Sequence, residues 1–158
     1  MKLQTPLYVI VVLLFLVSAA YAQEPVFKAG QSVYVVAVKS SKQPDLSTER
    51  KIKDEFEKHN SFKIATSSQS ADFVFLIFVE CEFNQVMFNN VGADVEDVKS
   101  VAAFVVSPDE YAHHKNDLDD LRDKALWQTS ENNNARRTGN LPKKVVNKFH
   151  EDTAPKKL

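Results

Sequence analysis

The chain has 158 residues, of which 44% are hydrophobic and 26% are charged, and its formal net charge is −1. The length fits one domain, the hydrophobic fraction excludes a disordered chain, and the balanced charge excludes a broadly basic nucleic-acid-binding protein. A single cysteine, Cys81, excludes an intramolecular disulfide and any metal site built from several cysteines.

The amino terminus has the three parts of a secretory signal peptide. Lys2 supplies a positive charge, an apolar run covers residues 7–17, and Ala20-Tyr21-Ala22 forms an A-x-A cleavage motif. The apolar run has eleven residues, whereas a transmembrane helix needs about 20. We therefore predict cleavage between Ala22 and Gln23, export to the periplasm or the extracellular space, and no stable membrane anchor after cleavage.

The rest of the chain divides into a linker at residues 23–31, one domain at residues 32–152 and a tail at residues 153–158. β-Branched and aromatic residues at 32–38 predict a buried first strand. A thin apolar stripe predicts a helix over 44–60, which Asp45 or Ser47 can cap and which Asn60 can end in a left-handed conformation.

Three further strands follow in the sequence. Alternating residues at 62–66 predict the second strand, and a polar turn comes after it. Residues 72–83 are apolar on both faces over the first half, which is typical of the central strand of a sheet. We interpret residues 84–96 as a long connection and residues 98–106 as the fourth strand.

In the C-terminal part, the sequence predicts two short helices, one more strand and a last helix. Ser107, Pro108 and Glu110 have the spacing of a capped helix start, and Asp117 can cap a second short helix. A fifth strand is predicted at 125–130. A last helix is predicted from Leu141 to about Glu151, with an apolar stripe of Leu141, Val145, Val146 and Phe149.

These elements predict an α+β single domain with a mixed sheet of about five strands in the order β-α-β-β-β-(α)-β-α, with helices packed on it. Strands one and two, joined through a helix, are expected to be parallel with a right-handed crossover. Strands two and three, joined by a short polar turn, are expected to be antiparallel.

The histidines are the candidate catalytic or metal-binding residues. His113 and His114 lie in the acidic segment Asp109–Asp123, but adjacent histidines on a helix point in different directions, and no metalloprotease or calcium-loop motif is present. A solvated acidic face explains this segment better. His150 could act as a general base, yet no nucleophile lies near it in sequence, and Cys81 lies on the most apolar strand. We therefore predict no enzymatic site, no metal and no cofactor.

Charge is distributed unevenly along the chain. The acidic segment is followed by a basic C-terminal part that contains Arg136, Arg137, Lys143 and Lys144. Such asymmetry can guide a protein partner, or it can be satisfied within the fold or between two copies. We take these four residues and Trp127 as candidate interaction residues, and we expect no nucleic acid as partner.

The pattern resembles a theme of small bacterial envelope domains. The resemblance lies in the first strand (Val33–Val38), the segment Ser70-Ala71-Asp72-Phe73-Val74-Phe75-Leu76, and Ala125-Leu126-Trp127 before a closing helix. It is similar to the amino-terminal domain of the Tol-system β-propeller protein and to curli-secretion lipoproteins. The chain departs from them in its long acidic segment and in lacking a lipid-attachment cysteine. The resemblance implies a non-catalytic binding or assembly module.

Three functions are therefore compared. The first is a non-catalytic protein-binding or assembly module of the cell envelope, whose partner could be another copy of the chain. The second is a hydrolase or metal-dependent enzyme that uses His113, His114 or His150. The third is a small-ligand-binding module with a pocket around four residues, Phe83, Met87, Phe88 and Trp127.

Overall fold

The protein is described from a computed structural model over residues 27–88, 91–132 and 141–153, with the backbone alone described for residues 82–88 and 91–97. The described residues form five strands and four helices. In chain order these are β1 (Ser32–Lys39), α1 (Leu46–His59), β2 (Lys63–Ile64), β3 (Phe73–Phe88), β4 (Val91–Val106), α2 (Pro108–His114), α3 (Leu118–Asp123), β5 (Trp127–Asn132) and α4 (Leu141–Thr153). The predicted signal peptide and its cleavage site between Ala22 and Gln23 lie outside the described residues and stay predictions.

The strands form one mixed sheet with the order β2-β1-β3-β4-β5. β1 is parallel to both β2 and β3, whereas β3, β4 and β5 are successively antiparallel. The predicted α+β class is confirmed, as are the parallel pairing of β1 with β2 and the central place of β3. A helix between the first two strands and a two-sided apolar third strand were sufficient signals for these features.

The predicted antiparallel pairing of β2 with β3 is wrong. β1 lies between the two strands and is parallel to both, so β2 and β3 run in the same direction. The connection between them passes the start of β1, where Ser32 N donates to Asp72 Oδ2 at 2.6 Å and Asp72 N donates to Ser32 Oγ at 3.0 Å. These bonds hold the start of β3 beside the start of β1. The central place of β3 buries both of its faces, which suits a strand that is apolar on both sides.

The predicted helix caps are confirmed. Asp45 accepts hydrogen bonds from Thr48 N at 3.0 Å and from Thr48 Oγ1 at 2.9 Å, and α1 ends where Asn60 has a left-handed φ of 52°. Ser107 accepts from Glu110 N at 3.2 Å with Pro108 in the first turn, and Asp117 accepts from Asp120 N at 3.1 Å. These contacts satisfy amides that the first helical turn leaves unpaired.

The first face of the sheet is covered by the two long helices, α1 and α4. The aromatic rings here pack edge to face: Phe56 lies 5.0 Å from Phe75 and 5.9 Å from Phe149, measured between ring centroids. Phe27 extends this cluster from the segment before β1, at 5.2 Å from Phe73 and 5.1 Å from Phe149. The larger of the two hydrophobic cores therefore lies on this face.

Of the described helices, only the short α2 and α3 lie on the second face of the sheet. Its buried core consists of five residues, Val74, Leu76, Phe104, Val106 and Leu121, with Tyr34 and Tyr111 packed at its edge. Seven residues in α2 and six in α3 give helices of about 10 Å, at a rise of about 1.5 Å per residue. Such helices are too short to cover the length of the strands, so the elements that the structure describes leave one end of this face open.

Candidate functional site

The strands β3 and β4 continue beyond the rest of the sheet as a two-stranded ribbon. β1 stops pairing with β3 at Lys39–Val79, and β5 stops pairing with β4 at Asn132–Ser100. Residues 82–88 and 91–97, here called the β-ribbon, pair only with each other among the described strands. At about 3.3 Å per residue, seven residues project by about 23 Å.

The interpretation of residues 84–96 as a connection is therefore wrong. The register pairs Asn84 with Val95 and Phe88 with Val91, so a hairpin with a two-residue link replaces the predicted loop. A signal for it was present in the sequence, because Asn89-Asn90 between apolar residues is typical of a two-residue hairpin turn. Polar residues in the middle of the segment hid the alternation.

A β-bulge marks the base of the β-ribbon. Glu80 pairs with Ser100 and Cys81 with Val98, which leaves Lys99 as the extra residue of β4. Glu80 fastens the bulge: Ser100 Oγ donates to its Oε2 at 2.7 Å, and Lys99 Nζ donates to its Oε1 at 3.2 Å. Both bonds lower the pKa of the Glu80 carboxyl, and the bond from Ser100 has the larger effect. A bulge increases local twist and bends the strand, so it sets the direction in which the β-ribbon leaves the sheet.

A groove of about 1100 Å³ opens on the second face of the sheet, next to this base. Its apolar floor consists of Val38, Phe78, Ala102 and Phe104, which come from three neighbouring strands. Val38, Phe78 and Ala102 are half-buried, although they border the buried core of this face. The groove is present because none of the helices in the described ranges covers this part of the sheet.

The polar rim of the groove comes from two turns, from α3 and from β5, which contributes Gln128, Thr129 and Ser130. Lys42 belongs to the turn after β1, Lys115 to the turn after α2, and Arg122 to α3. Arg122 contacts Asp119 at 3.1 Å, whereas Lys42 and Lys115 have no ion pair with any described residue. The rim carboxylates are also used locally, since Asp117 is the cap of α3. Sequence analysis missed the groove because no local pattern links residues that lie so far apart in the chain.

His114 is part of a network that joins α2 to α3. Lys124 Nζ lies 2.7 Å from His114 Nε2 and 2.9 Å from Glu110 Oε2, and His114 Nδ1 lies 2.9 Å from Asp120 Oδ2. Because an ammonium only donates, His114 accepts through Nε2 and donates through Nδ1, as a neutral imidazole does. The hydrogen bond from Lys124 lowers the pKa of Glu110. This network holds two short helices together and leaves neither ring nitrogen available for a metal.

The other two candidate histidines, His113 and His150, do not belong to the network of His114. His113 is exposed, and its Nδ1 lies 2.7 Å from the carbonyl oxygen of Asp109. His150 lies on α4 against His59 of α1, with ring centroids 4.0 Å apart. Burial, and then the neighbouring His59, lower the pKa of His150 to about 4. Over the residues that the structure describes, no three His, Cys, Asp or Glu side chains converge where they could hold a metal ion.

The candidate interaction residues are placed differently from one another. Trp127 is half-buried: its ring stacks on Phe75 at 5.9 Å and its Nε1 donates to Asp152 at 3.1 Å. Lys143 and Lys144 are exposed in the first turn of α4. The remaining two, Arg136 and Arg137, lie outside the described residues. Trp127 therefore anchors the C-terminal helix, and the two lysines are available to a partner.

The residues of the expected ligand pocket are not brought together. Trp127 lies opposite Val105, and Val105 pairs with Phe75 near the start of β3. Met87 lies twelve residues further along the same strand, a path of about 40 Å at 3.3 Å per residue. The pocket around Phe83, Met87, Phe88 and Trp127 is a wrong prediction, because residues 84–96, which were interpreted as a connection, continue β3 and β4 instead.

The chain was also compared with known proteins. No family model matches it, and no curated protein matches it. No helix within the described ranges is long and apolar enough to span a membrane. Among solved structures, the chain is similar to the PelC dodecamer from Paraburkholderia phytofirmans, at 15% identity and a TM-score of 0.47 over 86% of this chain and 96% of that chain.

A crystal form of a PelC variant from the same organism gives 14% identity and a TM-score of 0.45 over 86% of this chain and 95% of that chain. Both identities are below 25% and both TM-scores are below 0.5.

Proposed function

We propose that this chain is an exported, non-enzymatic assembly module that associates with other copies of itself through the β-ribbon. The single observation that carries the proposal is the extent of β3 and β4, which pair with β1 and β5 only as far as Val79 and Ser100 and end in a β-ribbon about 23 Å long. The signal-peptide motif and the resemblance to small envelope domains support the exported location.

A projecting ribbon of this kind gains stability from a partner. A two-stranded hairpin is marginally stable in water, and its outer edges carry backbone amides and carbonyls that can pair with another strand. The β-ribbon contains the acidic residues Glu82, Asp94, Glu96 and Asp97 and no basic residue. Exposed Lys143 and Lys144 on α4 give the same molecule a surface of opposite charge. Complementary charge of this kind favours association between copies.

The histidines support a non-enzymatic role. His114 links two helices through Lys124 and Asp120, and His150 lies half-buried against aromatic rings. General acid–base catalysis needs a group within hydrogen-bond reach of a substrate, and both side chains have structural positions instead.

The test is the mass of the exported chain in solution, measured by light scattering and sedimentation. The comparison variant replaces residues 84–95 with Asn-Gly, which closes the hairpin between the paired residues Phe83 and Glu96 with a favoured two-residue turn. We expect the unaltered chain to form oligomers and the shortened chain to be monomeric with a similar melting temperature. A monomeric unaltered chain, or a shortened chain that still associates, would refute the proposal.

A further inference from the structure

We propose that the groove on the second face of the sheet receives the end of the β-ribbon from a second copy of the chain. This inference rests on the proposed self-association and adds the surface to which the β-ribbon binds. It joins two features that are otherwise unexplained: an apolar floor that no described helix covers, and a hairpin that extends beyond its own sheet.

The floor of the groove favours an apolar occupant. Phe78 and Ala102 are half-buried beside the fully packed Leu76 and Val106. Covering apolar surface of this kind contributes about 25 cal/mol for each Å² removed from water. The volume of about 1100 Å³ exceeds what one or two side chains fill, so a hairpin end fits it better than a single inserted residue.

The end of the β-ribbon supplies apolar residues in register. Val86 pairs with Ala93, and Phe88 pairs with Val91, next to the two-residue link. These four residues are followed toward the base by the acidic positions Asp94, Glu96 and Asp97. The sequence thus places an apolar end in front of an acidic stem.

The rim of the groove has the charge that such a stem requires. Lys42 and Lys115 have no ion pair with any described residue, and they come from two separate turns. An apolar end on an apolar floor, with carboxylates reaching ammonium groups at the rim, is complementary in both respects. The two carboxylates at the rim, Asp117 and Asp119, are bound by the backbone amide of Asp120 and by Arg122, so Lys42 and Lys115 are the rim charges that remain for the acidic stem.

The position of the groove allows two copies to exchange their β-ribbons. Phe78 on the floor is three residues from Cys81, where the projecting part of β3 begins. The groove therefore lies at the base of the β-ribbon of its own chain. If two copies are placed antiparallel, each β-ribbon can run along the other and reach the groove at its base. A two-fold pair makes the same contact twice, as closed dimers do.

The test reverses the charge of the rim and then mixes two defective chains. The groove variant carries Lys42→Glu and Lys115→Glu, and the matched control carries Lys51→Glu and Lys63→Glu. All four lysines are exposed, and both variants change the net charge equally. We expect the groove variant to associate at least about tenfold more weakly, and the control to associate like the unaltered chain at the same salt concentration.

The shortened-hairpin chain keeps the groove and lacks the ribbon end, whereas the groove variant keeps the ribbon end. Each alone is expected to be monomeric, and an equal mixture is expected to form a heterodimer through one intact contact. A groove variant that associates like the unaltered chain would overturn this inference while leaving the proposed function intact. A mixture without heterodimer would overturn it as well. A shortened chain that still associates would overturn the proposed function itself.

Discussion

The two faces of the sheet differ in how completely they are covered. On the first face, α1 and α4 have 14 and 13 residues and bury a continuous aromatic cluster. On the second face, α2 and α3 together have the same number of residues as α4 but are broken by a turn, and they leave a groove. The comparison indicates that the first face supplies most of the stability, while the second face is less covered and has an accessible apolar surface.

The largest effect is expected on the covered face. Phe149 is fully buried and lies within 6 Å of Phe56, Phe75 and Trp127. Phe149→Ala removes the ring on which α1, α4 and β5 meet, and it should lower the free energy of unfolding by about 3–5 kcal/mol. Denaturant unfolding followed by tryptophan fluorescence measures this change. A loss below about 1 kcal/mol would show that the covered face does not dominate stability.

A smaller loss is expected on the open face. Leu121 of α3 is fully buried in the second core, in which five of the described residues are buried. Leu121→Ala should cost about 2–3 kcal/mol, at the lower end of the range for such changes, because the short helix can move inward to fill the space. Unfolding under the conditions used for Phe149→Ala allows a direct comparison. A cost equal to that of Phe149→Ala would contradict the difference between the faces.

Much of the fold could be predicted from the sequence. Asp45, Ser107 and Asp117 lie at recognisable cap positions, and the two-sided apolar run of β3 indicated its central place. These signals are local, since each depends on residues within one element. The pairing of β2 could not be predicted from its polar turn, because the position of β1 between β2 and β3 depends on burial across the whole sheet.

The candidate site was harder to predict for the same reason. The β-ribbon had a local signal at Asn89-Asn90, which the polar residues Asn84 and Gln85 obscured. The groove had none: Lys42, Phe78 and Lys115 come from separate elements that only the folded sheet brings together. Conversely, His113 and His114 attracted attention as neighbours in sequence, yet they make unrelated contacts.

The covered face should also respond to acid. His150 has a folded-state pKa of about 4 because burial and His59 disfavour its charged form, whereas an unfolded chain has a histidine pKa of about 6.5. The unfolded state therefore binds more protons between these values, and stability is complete above pH 6.5 and is lost as the pH falls toward 4. The half-buried ring reduces this loss to about 1–2 kcal/mol.

His150→Leu should remove that component of the pH dependence. Carboxylates titrate in the same range, so the informative quantity is the difference between variant and unaltered chain, measured by thermal unfolding at several pH values from 7 to 4. His113→Leu is the control, because His113 is exposed on the other face. Parallel stability curves for His150→Leu and the unaltered chain would show that this histidine does not contribute.

The smallest effect is expected at the start of α3, at the rim of the groove. Asp117→Ala removes the acceptor for Asp120 N at the start of α3, and loss of such a cap costs about 1 kcal/mol. Asp117 itself lines the groove, so the matched control is Asp117→Asn, which removes the same charge but retains a cap of similar strength. Because α3 also carries Arg122 at the groove rim, fraying of its first turn should make Asp117→Ala both less stable and weaker in self-association than Asp117→Asn. If the two variants differed in stability but had the same dissociation constant of the oligomer, α3 would have no part in binding and the groove would be defined by its strands alone.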